Sequence, residues 1–295
     1  MAAPALPERK PMMTLAYRRR IITNNVITGF LVLCALLALI PLFWVGIYVL
    51  EQGWPALVGQ FPSILTEQSP EGGELLWAAE GTLILIGLSC CVGLPIGIMT
   101  GVYLAEFGRN RFGDLVRFVA DVLAGLPSIV AGIVAYSVIV LTVHHYTPLA
   151  GGFALGLLMF PTVTRSTEAV VRLVPDTLRE AGLALGVSRW RTIVSVIIPT
   201  AVSGIITGVI LGVARVAGET APLIFTILGN TNGFVGWDQP SPALSLQIFQ
   251  NFLTPQDPTI DYPIGYAGVL LLFIMVIVLN LGARALAASR SGAAR

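Results

Sequence analysis

GIITGVILGVARVAGETAPLIFTIL, residues 204–228, is the stretch from which the class of this protein follows. It is long and apolar enough to cross a bilayer, which takes about 20 residues. Arg215 and Glu219 stand near its middle, where a charge costs roughly 2.5–3.5 kcal/mol on insertion scales. Their i, i+4 spacing predicts that they share one helix face and can pair. We therefore expect a membrane helix whose charged face meets protein rather than lipid.

Three glycines precede this charged pair at every fourth position: Gly204, Gly208 and Gly212. Small residues at this spacing let a second helix approach closely, so the pattern predicts a glycine groove packed against another helix. Arg215 and Glu219 then have two interpretations. They are either a structural ion pair that locks two helices, or a polar site on a solute pathway, which is the sharper hypothesis.

Composition places the whole chain in a membrane. Of its 295 residues 55% are hydrophobic and only 11% are charged, whereas soluble domains carry about 25% charged residues. The three cysteines all lie in apolar runs and indicate neither a disulfide framework nor a metal site. The first apolar run lacks a clear cleavage site and is predicted to be a retained anchor helix rather than a signal peptide.

Six apolar runs predict an all-α integral membrane protein with six transmembrane helices. Prolines 95, 127, 161 and 222 lie within these runs and are expected to kink the helices. The predicted spans are residues 26–50, 79–104, 118–143, 151–171, 204–228 and 263–283.

The charges orient these spans. None of the 17 Lys and Arg residues lies in the three loops predicted to face outward, and positive charge favours the cytoplasmic side. Both termini are therefore expected in the cytoplasm. The predicted organisation is a basic tail (1–25), a first helix with its outer loop (26–78), a core of five helices (79–285) and a second tail (286–295).

The cytoplasmic segment 172–199 is expected to form two short helices. Asp176 is a plausible N-cap of the first helix, and Gly186 ends it. Ser188 is placed to cap the second helix, and Pro199 marks the entry to the fifth span. The exposed apolar face of these two short helices favours docking to a partner. The alternative is an amphipathic hairpin that lies on the lipid surface.

This segment resembles the EAA loop of ABC-importer permeases. The pattern Glu-Ala-Ala, three residues, Gly, nine residues, Ile, one residue, Leu-Pro is matched in spacing. Gly182, Val196 and Ile198 replace its second Ala, its Ile and its Leu. The resemblance implies a type I importer permease fold and a loop that docks into an ATPase subunit and couples ATP hydrolysis to movement of the spans. The residues that it assigns to coupling are Glu180, Ala181, Gly182, Gly186 and Pro199.

No ATP site of an ordinary kind is expected in this chain. A P-loop needs GxxxxGK[ST], and the only lysine is Lys10. Any ATP and Mg²⁺ would then be bound by a partner ATPase, and this chain would be a transport subunit rather than an enzyme. A membrane-embedded enzyme is disfavoured because the sequence has neither HExxH nor GxSxG.

Residues 214–223, ARVAGETAPL, are similar to the ARxxGETAPL stretch of phosphate-importer permeases of the PstA type. Residues 161–168 and 172–175 are similar to the exit of the fourth span in that group, and the resemblance extends over most of residues 79–285. It implies that Arg165, Arg215 and Glu219 line the substrate pathway. A guanidinium offers donors suited to phosphate oxygens. Arg165 has an alternative role as an interfacial anchor that snorkels to water.

The resemblance thus predicts the permease subunit of an ATP-driven phosphate importer in a bacterial inner membrane, forming half of the pathway. Its expected partners are a homologous permease, an ATPase dimer, an extracytoplasmic phosphate-binding protein and membrane lipid, with no nucleic acid. The lysine-free loops 51–78 and 229–262 are candidates for docking the binding protein. Two alternatives stay open: a permease for sulfate, molybdate or phosphonate, and an ion-coupled transporter that works alone.

Overall fold

The computed structural model describes residues 15–59, 63–66, 75–230 and 233–292. Residues 1–14 of the predicted basic tail, parts of the two predicted docking loops and residues 293–295 lie outside these ranges. The chain forms two units, Met1–Glu51 and Gln52–Arg295. The sites discussed below lie in the second unit.

All regular elements in the described ranges are helical. Four helices exceed 24 residues, and shorter helices connect them. The first half of the chain contains α1 (Leu15–Gly59), α2 (Ser63–Thr66), α3 (Leu75–Glu106), α4 (Arg111–Gly125), α5 (Ser128–Ala135), a π-helical turn (Tyr136–Val140) and α6 (Leu141–Val143). The second half contains α7 (Pro148–Arg172), α8 (Asp176–Ala184), α9 (Arg189–Thr192), a second π-helical turn (Ile193–Ile197), α10 (Ile198–Ala217), α11 (Ala221–Thr226), α12 (Leu244–Leu253) and α13 (Pro258–Gly292).

Four helical stretches of the described residues are long and apolar enough to cross a membrane: Tyr17–Gly59, Leu75–Glu106, Arg189–Ala217 and Pro258–Ala285. A fifth arises if α4 and the helical segment Ser128–Val143 are counted as one span bent by 103°. The predicted number of six is therefore not confirmed. The missing span corresponds to α7, whose threonines, glycines and charged final turns reduce its hydropathy.

The centre of the fold is the packing of α3 against α7. Glycines of α3 face α7 and leave no room for a side chain. A Cβ atom on Gly97 would lie 2.9 Å from Val163 Cβ, and one on Gly101 would lie 2.6 Å from Thr167 Cβ. This close approach is what small residues provide between membrane helices.

The predicted glycine groove on α10 is confirmed, and α7 occupies it. The nearest neighbours of Gly204 and Gly208 are the side chains of Val170 and Ser166 of α7. A Cβ atom on Gly212 would lie 3.0 Å from Val163 Cγ2. α7 therefore packs between the glycine faces of α3 and α10.

The prediction that residues 204–228 form one helix is wrong. The helix ends at Ala217, and α11 begins only at Ala221. Pro222 explains the break, because its ring would clash with the carbonyl of Gly218, four residues earlier, in a continuous helix. Pro127 likewise lies at the break between α4 and α5, whereas Pro95 and Pro161 lie inside continuous helices.

The segment between α7 and α10 forms the two expected helices joined at a glycine. Gly186 has φ +75°, a left-handed conformation that favours glycine. Asp176 is the first helical residue rather than the cap; Pro175 holds the cap position. Ser188 is at the N-cap of α9, but its side chain makes no capping hydrogen bond. We call residues 176–192 the α8–α9 hairpin.

Pro199 lies in the first turn of α10, the helix of the predicted fifth span, but no helix break marks that position. The helical run is continuous from Arg189 to Ala217, and a π-helical turn at Ile193–Ile197 precedes the proline. Such a turn changes the hydrogen-bonding register, so a residue without an N–H group is accommodated there. The predicted loop 229–262 also differs from expectation, because it contains α12 and the start of α13.

Candidate functional site

Arg165 on α7 is held by two carboxylates. Its Nε donates to Asp121 Oδ1 at 2.9 Å, and its Nη1 donates to Glu168 Oε2 at 3.1 Å. Its Nη2 also contacts Asp121 Oδ2 and donates to the Arg117 carbonyl at 3.3 Å. Arg165 therefore ties α4 to α7, a role that neither sequence interpretation of this residue included.

Glu168 is the centre of this ionic cluster. Its side chain is only 6% exposed and accepts hydrogen bonds or ion pairs from three arginines. The distances are 2.8 Å from Arg117 Nε, 3.1 Å from Arg165 Nη1 and 2.7 Å from Arg172 Nη2. The i+3 and i+4 spacing of Arg165, Glu168 and Arg172 was visible in the sequence, but the contribution of Arg117 from another helix was not.

Arg117 extends the cluster to the end of α3. Its Nη1 and Nη2 donate to the carbonyl oxygens of Gly108 and Leu104, each at 2.9 Å. A single guanidinium thus joins α4, α7 and the last turn of α3. A buried carboxylate surrounded in this way is fully compensated, which is the condition for tolerating it in a protein interior.

Arg215 and Glu219 occupy different elements. Arg215 is on α10, is exposed, and donates from Nη1 to Thr162 Oγ1 at 3.2 Å. Glu219 is half-buried in the bend between α10 and α11, where its carbonyl accepts from Ser245 Oγ at 2.9 Å. Within the part of the chain that the structure describes, no ion pair joins Arg215 to Glu219, so the predicted pairing is not formed. Among the described residues, Arg215 donates a side-chain hydrogen bond to Thr162 alone, so most of its donors have no protein partner there.

The α8–α9 hairpin is fixed to the end of α3 by Glu106 and Arg179. Arg179 Nη2 and Nε donate to Glu106 Oε1 at 2.7 Å and 3.0 Å, and the Glu106 side chain is only 3% exposed. The same guanidinium donates to the carbonyls of Val171 and Val174 at the end of α7. Its hydrogen bonds to Glu106 raise the pKa of Arg179 above the ordinary value, so this guanidinium stays charged.

Arg189 makes a second connection at the same place. Its Nη2 donates to the Glu106 carbonyl, and its guanidinium lies 4.5 Å from the centroid of the Phe107 ring. That distance is typical of a cation–π contact. Both short helices of the hairpin are therefore attached to the last turn of α3.

The coupling residues predicted from the resemblance differ in exposure: four are exposed, and one packs inside the hairpin. Glu180, Ala181 and Gly186 are exposed on it, and Pro199 is exposed farther along the helix. Gly182 instead faces Thr192, and a Cβ atom there would lie 2.7 Å from both Thr192 Oγ1 and Cγ2. This contact explains the departure from the family pattern, because Thr192 occupies the space that an alanine would need.

Large apolar side chains accompany these residues on the outside of the hairpin. Leu185 is 83% exposed, Trp190 is 67% exposed, and Leu183 is exposed as well. Single exposed leucines are ordinary, but a tryptophan and two leucines on one hairpin are typical of a surface covered by a partner.

Comparisons with known proteins agree with this architecture. A family model described as "Binding-protein-dependent transport system inner membrane component" matches residues 93–291. The chain is 38% identical over 263 residues to the phosphate transport system permease protein PstA of Haemophilus influenzae, covering 88% of this chain and 92% of that protein. It is 38% identical over 288 residues to phosphate transport system permease protein PstA 1 of Mycobacterium tuberculosis, covering 93% of each.

Solved structures show the same fold at low sequence identity. A crystal structure of a bacterial ABC transporter involved in the import of the acidic polysaccharide alginate matches with TM-score 0.65 at 15% identity, covering 92% of this chain and 98% of that one. An inward-facing MetNI methionine ABC transporter matches with TM-score 0.55 at 17% identity, covering 73% of this chain and 94% of that one.

Proposed function

This chain belongs to the inner membrane components of binding-protein-dependent transport systems, and from this premise we propose that it is the transmembrane permease subunit of an ATP-driven phosphate importer. The observation that carries the proposal is the similarity to named phosphate permeases over about nine-tenths of the chain. The segment ARVAGETAPL supports it, because it supplies an arginine with free donors next to a break in the helix.

Arg215 is the residue that we assign to direct contact with phosphate. It is exposed and has one hydroxyl partner, so its guanidinium fork can bind the oxygens of an oxyanion. Glu219, two residues beyond the end of α10, can accept a hydrogen bond from the proton of hydrogen phosphate. Sulfate lacks that proton at neutral pH, so such an acceptor would disfavour it.

Arg165 takes a different part in the proposed pathway. Its contacts with Asp121 and Glu168 leave it few donors, so it shapes the pathway by holding α4 against α7. This assignment replaces both the direct contact and the interfacial anchor as its main role.

The α8–α9 hairpin is the proposed docking element for a separate ATPase subunit, which would bind ATP and Mg²⁺. Its exposed Leu185 and Trp190 supply the apolar contact. The attachment of Arg179 to Glu106 transmits a displacement of the hairpin to α3. In this arrangement the hairpin and both termini face the cytoplasm, a second homologous permease completes the pathway, and an extracytoplasmic binding protein delivers phosphate.

The proposal is tested by uptake of labelled phosphate in cells that lack their own phosphate importers. Expression of this chain together with the other subunits of its importer should restore uptake, and Arg215→Gln should lower it at least tenfold. The Arg215→Gln chain should still copurify with the ATPase. Restored uptake of sulfate or molybdate in place of phosphate would overturn the assignment of the solute.

A further inference from the structure

A cavity of about 850 Å³ opens beside the α8–α9 hairpin, where α3 ends, α4 begins and α7 ends. We call it the basic basin. Three carboxylates line it, those of Glu106, Asp114 and Asp176. Six arginines line it as well: Arg109, Arg111, Arg117, Arg172, Arg179 and Arg189. The lining therefore carries an excess of three positive charges, which attracts an anion into a concave site.

Three of the six arginines already make contacts within the protein. Arg117 and Arg179 each hold a buried carboxylate and two backbone carbonyls, and Arg189 holds the Glu106 carbonyl and the Phe107 ring. Asp114 is paired with Arg117, and Asp176 is paired with Arg179, each at 3.0 Å. The acidic side of the basin is thus neutralised by contacts that exist without a ligand.

Arg109 and Arg111 supply charge that no carboxylate of the described residues neutralises, and Arg172, which is paired with Glu168, adds spare donors. Among the described residues, Arg109 and Arg111 have no hydrogen-bond or ion-pair partner for their side chains. In the part of the chain that the structure describes, Arg172 is paired with Glu168 alone, and its side chain is 51% exposed. Two guanidiniums in one cavity without partners among the described residues, and a third with further donors, match a group that carries several oxygens and more than one negative charge.

The first turn of α4 adds a backbone donor to the lining of the cavity. The Asn110 side chain caps the helix by accepting the Gly113 N–H at 2.7 Å. Arg111 lines the cavity, and its N–H group precedes that bond and has no partner within the helix. The positive end of the helix dipole lies at the same place and favours an anion there.

The basin borders a surface suited to lipid. On α4, Phe112, Leu115 and Phe118 are more than half exposed, and they alternate with the residues that line the basin. A helix with one apolar and one charged face of this kind typically lies where lipid tails meet headgroups. Both a dissolved ion and a lipid headgroup can therefore reach the cavity.

We infer that the basic basin is a binding site for a phosphate group, either inorganic phosphate or the phosphate of an anionic lipid headgroup, held by Arg109, Arg111 and Arg172. This site is additional to Arg215 and goes beyond the proposed transport function. Because Arg179 and Arg189 of the hairpin also line the basin, a bound phosphate group would affect the position of the proposed docking element.

The test uses the complete importer in nanodiscs made of phosphatidylcholine alone or with added phosphatidylglycerol. The variant Arg109→Gln/Arg111→Gln removes the two unpaired guanidiniums. The control is Arg191→Gln, which removes an exposed arginine of the same hairpin that does not line the basin. Inorganic phosphate is titrated in phosphatidylcholine nanodiscs at constant ionic strength while the melting temperature is followed. Phosphatidylglycerol retained by the protein is measured by native mass spectrometry.

A free-phosphate site predicts that the double variant shifts the phosphate dependence of melting roughly tenfold or more to higher concentration, since a hydrogen bond to a charged group contributes about a factor of ten. A headgroup site predicts instead that the double variant loses bound phosphatidylglycerol. Arg191→Gln should leave both measurements unchanged. If the double variant matches the control in both, or only releases the ATPase subunit, the basin is not a phosphate-group site.

Discussion

Glu106 and Arg179 are 73 residues apart in the chain, yet the buried Glu106 carboxylate forms an ion pair with the largely buried Arg179 guanidinium at a shortest distance of 2.7 Å. Glu106 is the last residue of α3, and Arg179 is on α8. The pair therefore joins the central packed helix of the fold to the hairpin that we propose as the docking element. The contacts of Arg179 with Glu106 therefore give a displacement of the hairpin a direct route to α3.

Replacing Glu106 by Gln should destabilise the protein strongly. Removing one partner of a buried ion pair leaves the other charge uncompensated and costs about 3–5 kcal/mol. The matched control is Asp176→Asn, which removes the 78% exposed partner of the same arginine and should cost under about 1 kcal/mol. Thermal unfolding of the purified variants measures both. Equal destabilisation by the two substitutions would contradict the structural importance assigned to Glu106.

The Glu168 cluster leads to a second prediction, on stability rather than on coupling. Glu168→Gln leaves Arg117, Arg165 and Arg172 facing a neutral amide in a buried position. We expect a loss of several kcal/mol in the free energy of unfolding, by the same uncompensated-charge argument. Asp114→Asn, at a 75% exposed partner of Arg117, is the control and should be nearly neutral. Denaturant unfolding in detergent compares them, and a neutral Glu168→Gln would refute the cluster's role.

Close packing of α3 on α7 makes a third prediction. Gly101→Ala would place a Cβ atom 2.6 Å from Thr167 Cβ and 2.7 Å from the Thr164 carbonyl, so backbone must move at a cost of about 1–3 kcal/mol. Gly87→Ala on the same helix meets nothing within 4 Å and should be neutral or stabilise by up to about 1 kcal/mol through helix propensity. Melting temperatures of the two variants should move in opposite directions or differ clearly.

Local patterns in the sequence predicted the features that depend on neighbours along the chain. The groove of Gly204, Gly208 and Gly212 and the elbow at Gly186 follow from the spacing and backbone freedom of glycine, and both are present. The ion pairs from Glu106 to Arg179 and from Asp121 to Arg165 were not predicted, because each joins helices far apart in sequence.

The helix break at Gly218 shows where prediction from apolar character alone goes wrong. Gly218 and Pro222 stand four residues apart, the spacing at which a proline ring meets a helical carbonyl, so the signal was present in the sequence. Uniform apolar character over residues 204–228 outweighed it and predicted one span. The charged pair inferred from that span failed with it, because Glu219 no longer shares a helix with Arg215.

The glycine between α8 and α9 gives a fourth prediction. Gly186 has φ +75° and no neighbour within 4 Å of a Cβ position, so alanine there is strained only through its backbone, by about 1 kcal/mol. Gly182→Ala meets Thr192 at 2.7 Å and should disturb the packing of α8 on α9 more severely. Copurification of the ATPase should weaken more for Gly182→Ala, and Gly182→Ala with Thr192→Ser, which removes the contacted methyl group, should partly restore it. Absence of any rescue would show that the Gly182–Thr192 contact does not control docking.

The two arginines assigned to the pathway should respond differently to substitution. Arg215→Gln removes a guanidinium whose only partner among the described residues is Thr162, so stability should change by less than about 1 kcal/mol while phosphate uptake falls at least tenfold. Arg165→Gln breaks contacts with Asp121 and Glu168, so it should lower the melting temperature as well as uptake. Thr162→Val, which removes the hydroxyl that contacts Arg215 and leaves its charge, separates positioning from charge and should reduce uptake less than Arg215→Gln does. The measurements are melting temperature and initial uptake rate for all three variants. If Arg215→Gln unfolds the protein while Arg165→Gln leaves it stable and inactive, the two roles assigned here are reversed.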